Sequence, residues 1–498
     1  MPNRMFSREG TWLFPPTLEE LIPADHSVRF VAMFVDGLTR GEWGALGVAP
    51  DGAVRGALAY HPRVLLGVWL YGFMSGTRSS RKLERACRDQ LPYLWLTGWQ
   101  RPDHTTLWRF YEQHRTAMRR LLTRTVRVAI TAGLVDLAVQ AVDGTRIAGS
   151  AAREQSLRPE QVEGLLECVQ IAIDDLEAQN HGGDDPPPGR LPRDLQSLEA
   201  LRERVQTALE QVTAEDGPAR VNLTDPDATL QKARGGGFVV GYNAQAVVAG
   251  LVGPGEDAPD RPGGLLIVAA DVTTDRDDHE QLVPLLDQAT AVTGTAPTTY
   301  LADGGYHSAA NLAACAARDQ VIVMPDPQAP SPSEAYHKDR FTYDATRDTY
   351  TCPQGQTLTF CGMITQRRGQ PKARKYRAAK AACDACPVRA ACTRATTVGR
   401  TIAIGRDDAV LRAHRAHMKT DEARTAYQRR KSLPEPAFGI LKEQQAARRF
   451  LLRGLDNVRD EWSLLATAFN LRTLARLWCA SQRPAPRARL RSALPTAA

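Results

Sequence analysis

Residues 298–325 read "TTYLADGGYH" (Thr298–His307), "SAANLAACAA" (Ser308–Ala317) and, after three polar residues, "VIVMP" (Val321–Pro325). The first run is β-prone and ends at Asp303 before a Gly-Gly turn. The second has helical patterning, and the third is a short apolar strand. Strand, helix and strand in succession are the repeating unit of an α/β sheet. Working outward, "LAVQAVDGTRI" (Leu137–Ile147) is β-prone with weak alternation, and Asp143 followed by Gly144 reads as its end. "GFVVGYNAQAVVAG" (Gly237–Gly250) reads as a strand, or a strand bulged around Gly241. "GGLLIVAADVTT" is a further strand. "DDHEQLVPLLDQATAV" is a helix with Asp277 or Asp278 as its N-cap. Three strands, helix, strand, helix, strand is the order of a mixed α/β sheet.

Upstream, residues 1–132 read as all-helical. "HPRVLLGVWLYGFM" is one helix, and "SSRKLERACRDQ" starts at Ser79 or Ser80. "DHTTLWRFYEQHRTAMRRLL" starts at Asp103 and carries Leu107, Phe110, Tyr111, Met118 and Leu121 on one face. Its other face is basic, with Arg109, Arg115, Arg119, Arg120 and Arg124, and is a candidate for DNA contact. The aromatic turn "LPYLWLTGWQRP" could join two helices as a helix-turn-helix, a plain bundle being the alternative. Pro159–Val212 reads as an antiparallel helical hairpin broken by "HGGDDPPPGRLP". The boundaries expected are 1–132 (N-terminal helices), 133–154 and 216–337 (sheet core), 155–215 (hairpin insertion), 338–405 (Cys-rich insertion), 406–480 (C-terminal helices) and 481–498 (a Pro- and Arg-rich disordered tail).

The 498 residues carry a net charge of +7 and a pI of about 9.0, which favours a polyanionic partner. No N-terminal stretch has a signal-peptide pattern, and the most apolar run, Val64–Met74, is too short to span a bilayer. A soluble cytoplasmic protein without a membrane partner is expected.

Three acids stand out. Asp143 and Asp303 each end a strand, and in open α/β sheets sites form at the carboxyl ends of strands. Glu435 lies in "QRRKSLPEPAFGILK" (Gln428–Lys442), between Pro434 and Pro436. Proline is tolerated in the first turn of a helix, so a helix starts there and carries Glu435 and Lys442 on one face. Each acid alone could be an ordinary turn or surface residue. Together they make an all-oxygen ligand set of the kind that suits Mg²⁺ or Mn²⁺ and phosphodiester chemistry.

At these residues the chain resembles the DDE transposases of bacterial insertion sequences. "VDGTRI" resembles the first-acid motif of that family and "LADGGYHS" the second. Tyr427, Arg430, Glu435 and Lys442 follow the order of its Tyr-Arg-Glu-Lys motif. The Arg-to-Glu spacing is one longer than in the best-known form, so Lys431 could take the Arg role. The resemblance implies an RNase H-like mixed sheet flanked by helices. It implies catalysis and metal binding by Asp143, Asp303 and Glu435, and DNA contacts from Tyr427, Arg430 or Lys431, Lys442 and the Arg109 face. It also implies a nucleoid-associated dimer on DNA, binding transposon ends and target DNA for cut-and-paste transposition. A nuclease of the same fold without strand transfer, and a catalytically silent DNA-binding protein, are the alternatives.

Five of nine cysteines crowd into 352–392, too locally for a disulfide framework. Cys352, Cys383, Cys386 and Cys392, two of them in a CxxC, could hold structural Zn²⁺; an iron–sulfur cluster or metal-free thiols are the other readings. "ARGGGFVVGYN" lacks the Gly-Lys-Ser/Thr of a phosphate loop, "TDPDA" (Thr224–Ala228) reads as a turn, and Asp271 and Asp275 read as structural. His307 reads as a helix-capping or surface residue, although it could reach a phosphate at Asp303.

Overall fold

A computed structural model of the chain describes residues 17–49, 59–180, 193–215, 217–232, 236–252, 263–329, 334–365 and 373–482. They fall into two units, one within 1–136, 144–276 and 434–498, the other comprising 137–143 and 277–433. The breaker "HGGDDPPPGRLP", residues 233–235 and nearly all of the C-terminal tail lie outside the described residues. No helix among the described residues is long and apolar enough to cross a membrane.

In the first unit the N-terminal segment folds as helices Ser27–Asp36, Pro62–Met74, Ser80–Asp89, Leu91–Thr97, His104–Met118 and Arg120–Thr131. Pro62 opens a helix whose residues Leu65–Met74 are all buried. Asp103 caps the next long helix by accepting the Thr106 N–H at 2.7 Å. Two expectations change. The aromatic "turn" is itself the helix Leu91–Thr97, because Pro92 occupies a first-turn position that needs no N–H partner and Tyr93 and Leu94 are buried. The helix from Asp103 does not run on to Leu122: it stops at Met118, and a second begins at Arg120.

These helices pack around Leu455–Gln482, which is buried on nearly every side from Val458 to Ala475. Strand β1 is Val135–Ala148, β2 Thr229–Lys232, β3 Phe238–Leu251 and β4 Gly264–Thr273. In this unit β3 pairs antiparallel with β2 over Phe238–Gly241 and with β4 over Asn243–Leu251. The long helix is tied to it by polar side chains as well as apolar ones. Trp462 donates its indole N–H to the Gln245 carbonyl at 2.8 Å, and Asn470 bonds both the N–H and the carbonyl of Ile267 at 2.8 Å. Ile267 adjoins the bulge in the β3–β4 pairing, which falls at Val247/Val248 rather than at Gly241. Gly241 serves another purpose: a Cβ there would collide with the Ile147 carbonyl. The helices Pro159–Asn180 and Arg193–Thr213 pack antiparallel, Val162 against Val205, Ala208 and Val212, and Val169 and Ile173 against Leu198 and Leu201.

The second unit takes the middle of β1. Val139–Ala141 pairs in parallel with β5 (Thr299–Leu301), which pairs in parallel with β6 (Val321–Val323) across the helix Ala309–Ala317. With antiparallel pairing in one unit and parallel pairing in the other, the fold is mixed α/β. β1 does not end at Asp143 as expected; it stays extended to Ala148. Gly144 has no Cβ, and one there would lie 2.5 Å from the Gln245 Nε2, so the chain passes straight where a turn was read. The Cys-rich segment is an antiparallel sheet of β7 (Thr342–Asp344), β8 (Thr349–Thr351), β9 (Thr357–Ile364), β10 (Ala373–Ala378) and β11 (Thr401–Ile404), paired in chain order.

Candidate active site

Asp143 sits within β1 and is 3% exposed. Its partner in the second unit is Arg430, on the short turn Arg429–Ser432. The Arg430 Nη2 lies 3.0 Å from Asp143 Oδ2 and 3.5 Å from Asp303 Oδ2. One guanidinium therefore joins two aspartates that are 160 positions apart in sequence (303 − 143). Arg430 is itself buried, so the cation read as a DNA contact points inward. Burying a carboxylate is tolerable only with a partner of this kind.

Asp303 follows β5 and caps the turn Gly304–Tyr306, accepting the Gly305 N–H at 2.7 Å. A Cβ at Gly305 would stand 2.9 Å from Asp303 Oδ1 and 3.1 Å from Asp278 Oδ2, so this glycine keeps room between two carboxylates. Asp278 was read only as a helix cap. Its position beside Asp303 had no local signal, because it depends on how the turn folds back. Tyr427, on the helix Asp421–Gln428, has its phenol pushed up by burial, countered by the Arg430 charge and reinforced by Asp303 and Asp143. It stays protonated at neutral pH, as a hydrogen-bond donor beside both acids.

Below Asp303 lies a polar cluster that the sequence reading missed. His307 is buried, not the surface residue expected. Its Nδ1 is 3.6 Å from Asp326 Oδ1 and its ring centroid 5.6 Å from that of His414. Arg415 donates to Asp326 at 2.6 Å and to Asp339 at 2.5 Å, and His414 bonds the Met324 carbonyl at 2.8 Å. Burial holds both imidazoles below the usual histidine range.

Glu435 belongs to the first unit, in the helix Pro434–Glu443, which starts at the prolines as read. Glu435 is half-buried and Lys431 exposed. The Lys442 ammonium donates to Thr145 Oγ1 at 2.6 Å, which fastens this helix to β1 two residues past Asp143. Of the basic N-terminal face, Arg115 and Arg119 pair with Asp460, Arg124 with Glu42, and Arg120 with the Ala45 carbonyl. Those four hold the helices together, which leaves Arg109 exposed and without an ion pair among the described residues. "TDPDA" is a clamp: Asp225 accepts from the Tyr242 hydroxyl at 2.8 Å and the Gly454 N–H at 3.0 Å, and Asp227 from the Leu455 N–H at 2.7 Å. Asp271 pairs with Arg459 at 3.0 Å, and Asp275 accepts from Thr273, both structural as read.

Among the described residues no three histidine, cysteine or acidic side chains form a ready-made metal cage. The donor chemistry around Asp143 and Asp303 nevertheless fits a hard cation. Both are carboxylates, and the gap between them is already bridged by a positive charge, that of Arg430.

Comparison with known proteins gives two family matches. Residues 16–113 match a transposase domain (DUF772), and residues 351–475 match a transposase DDE domain. The second match covers Tyr427, Arg430, Glu435 and Lys442; the two aspartates lie outside it. No curated protein matches the chain. With a transposase model matched in its N-terminal helices and another across the segment carrying Glu435, the two matched segments are similar to transposase domains, which is consistent with a DDE transposase of an insertion sequence.

Proposed function

We propose that the protein binds the terminal inverted repeats of its own element and moves that element by cut-and-paste transposition on an RNase H-like core. The observation that carries this reading is the Arg430 guanidinium shared by Asp143 and Asp303, which marks a point of concentrated negative charge. Asp143, Asp303 and, by its motif, Glu435 would hold Mg²⁺ or Mn²⁺. Such an ion supplies Lewis-acid stabilisation of the phosphodiester oxygens during in-line displacement. The chain's own groups orient the DNA. Tyr427 donates a hydrogen bond to a phosphate oxygen. Arg430 exchanges its carboxylate partners for phosphate once the acids have another cation. Lys431, Lys442 and Arg109 each add a phosphate contact. Hydrolysis at each end frees a 3′ hydroxyl, which attacks a target phosphorus; the new P–O bond forms as the bond to the target strand's own 3′ oxygen breaks, and that oxygen leaves as a protonated 3′ hydroxyl. Joining two ends requires a dimer.

Purified protein with DNA carrying the element's ends should cut at those ends only with Mg²⁺ or Mn²⁺. Glu435→Ala should lower the cutting rate by about 10³-fold or more, equivalent to about 4 kcal/mol of transition-state stabilisation. Joining of the 3′ ends to a second plasmid separates transposase from nuclease. End binding with no cutting by either protein would overturn the catalytic reading in favour of a silent DNA-binding protein.

A further inference from the structure

The chemistry proposed above leaves the Cys-rich sheet unexplained. Among the described residues its core cluster is Phe341, Tyr350, Leu358, Tyr376, Ala378, Cys383 and Ile402, little apolar material for five strands and two one-turn helices. Small modules with cores of this size generally need a staple. The four cysteines with ligand-like spacing come together at one place. Cys352 sits in the turn between β8 and β9, and Cys383 in the short helix Lys380–Asp384. Cys386 follows that helix, and Cys392 ends the helix Arg389–Cys392. All four line a single void of about 20 Å³. That is room for one atom-sized guest, since a lone water needs roughly 10–15 Å³. Cys361 does not line it and is exposed on β9.

Two backbone groups are already aimed at the sulfurs. The Gln356 N–H donates to Cys352 Sγ at 3.3 Å, and the Arg400 N–H to Cys383 Sγ at 3.3 Å. Such bonds favour negatively charged sulfur. Two cations, Arg389 and Arg400, line the same void. Arg389 is shared with Asp384, while the Arg400 guanidinium donates to the Tyr336 carbonyl at 2.8 Å. The sulfurs surround the void without yet forming a cage.

We infer that Cys352, Cys383, Cys386 and Cys392 bind one structural zinc ion, which closes the void and staples the Cys-rich sheet. Four S–H bonds are replaced by four Zn–S bonds of about 2.3 Å, and four protons go to solvent. The resulting centre carries two negative charges, opposite Arg389 and Arg400. Soft thiolates select zinc over the hard ions that suit the carboxylates, so the two metal sites are chemically separate.

The test is metal analysis of the purified full-length chain. The expected result is about one zinc per chain, retained by Cys361→Ser and lost by Cys383→Ser/Cys386→Ser. Cobalt exchanged into the wild-type chain should show the thiolate-to-cobalt charge-transfer absorption of a tetrahedral four-sulfur site, a readout that stands if the cysteine variant fails to fold. Glu435→Ala should keep its zinc, so failure of the catalytic reading and failure of this one are distinguishable. A chain with no zinc, zinc surviving loss of Cys383 and Cys386, iron with acid-labile sulfide, or cobalt without thiolate absorption would each overturn the inference.

Discussion

At the scale of single residues, the ion pair between Arg430 and Asp143 is buried, its side chains 7% and 5% exposed. Removing one member of a buried pair strands the other, so Arg430→Ala should destabilise the second unit by about 3–5 kcal/mol. Asp143→Asn in the same chain should recover much of that loss in a denaturant titration. If the double variant is no more stable than the single, the pair is not what holds Asp143. The buried histidines make a second prediction. Unfolding returns His307 and His414 to their ordinary value of 6.5, whereas burial holds them lower in the fold. The unfolded chain therefore takes up protons first as pH falls. Their contribution is complete above pH 6.5 and is lost below it, at up to about 1.4 kcal/mol per pH unit for each histidine. Asp326, held below its usual range by the Gln328 N–H and Arg415 despite burial, adds a loss in the same direction only below its ordinary value of 3.8. Calorimetry from pH 7 to 5 should show a falling midpoint for the wild type and a flatter profile for His307→Phe/His414→Gln. That Asp303 follows a strand was legible in the sequence, because a β-prone run before Asp-Gly is a local pattern; the same pattern misled at Asp143, where the strand runs on. The inward turn of Arg430 was not legible, since nothing within Gln428–Lys442 says which way a short irregular turn faces.

Strands and helices with a strong period could be read directly. β4, β5, β6 and the helices from Pro62 and Ala309 fall where their apolar spacing puts them, because each decides its own conformation. The misreadings came where a partner distant in sequence decides. β1 passes through Gly144 because of Gln245, 101 positions later (245 − 144), and Gly241 is needed because of Ile147. Gly241→Ala should cost at least the upper end of the usual overpacking range of about 1–3 kcal/mol, since the obstructing atom is backbone oxygen and cannot rotate away. Loss of soluble protein, or a clear fall in the unfolding midpoint, is the expected outcome. The long C-terminal helix is anchored likewise: Glu461, 1% exposed, accepts from Arg78 at 2.5 Å and from the Leu451 and Leu452 N–H groups at 2.9 Å. Arg78→Met should therefore destabilise the first unit by about 3–5 kcal/mol, far more than loss of an exposed pair such as Arg424–Asp421.

For the molecule as a whole, a net charge of +7 is spread over a chain in which many arginines are tied up internally. Arg109 and Lys431 are exposed, and the proposed function gives them phosphate contacts. Replacing either by Ala should weaken DNA binding uniformly across sequences and reduce the slope of log affinity against log salt by about one unit, measured by fluorescence anisotropy. A salt dependence unchanged in both variants would remove them from the interface. The pairing of β1 with β5 has a further consequence, in the order of synthesis. Val139 waits for Thr299, 160 residues later, roughly ten to thirty seconds at ordinary translation rates. Arg430 emerges later still. Any chain that stops short of it has a buried carboxylate and no counter-charge. A truncated product would therefore lose stability, and proteases would clear it before it could accumulate beside the complete fold.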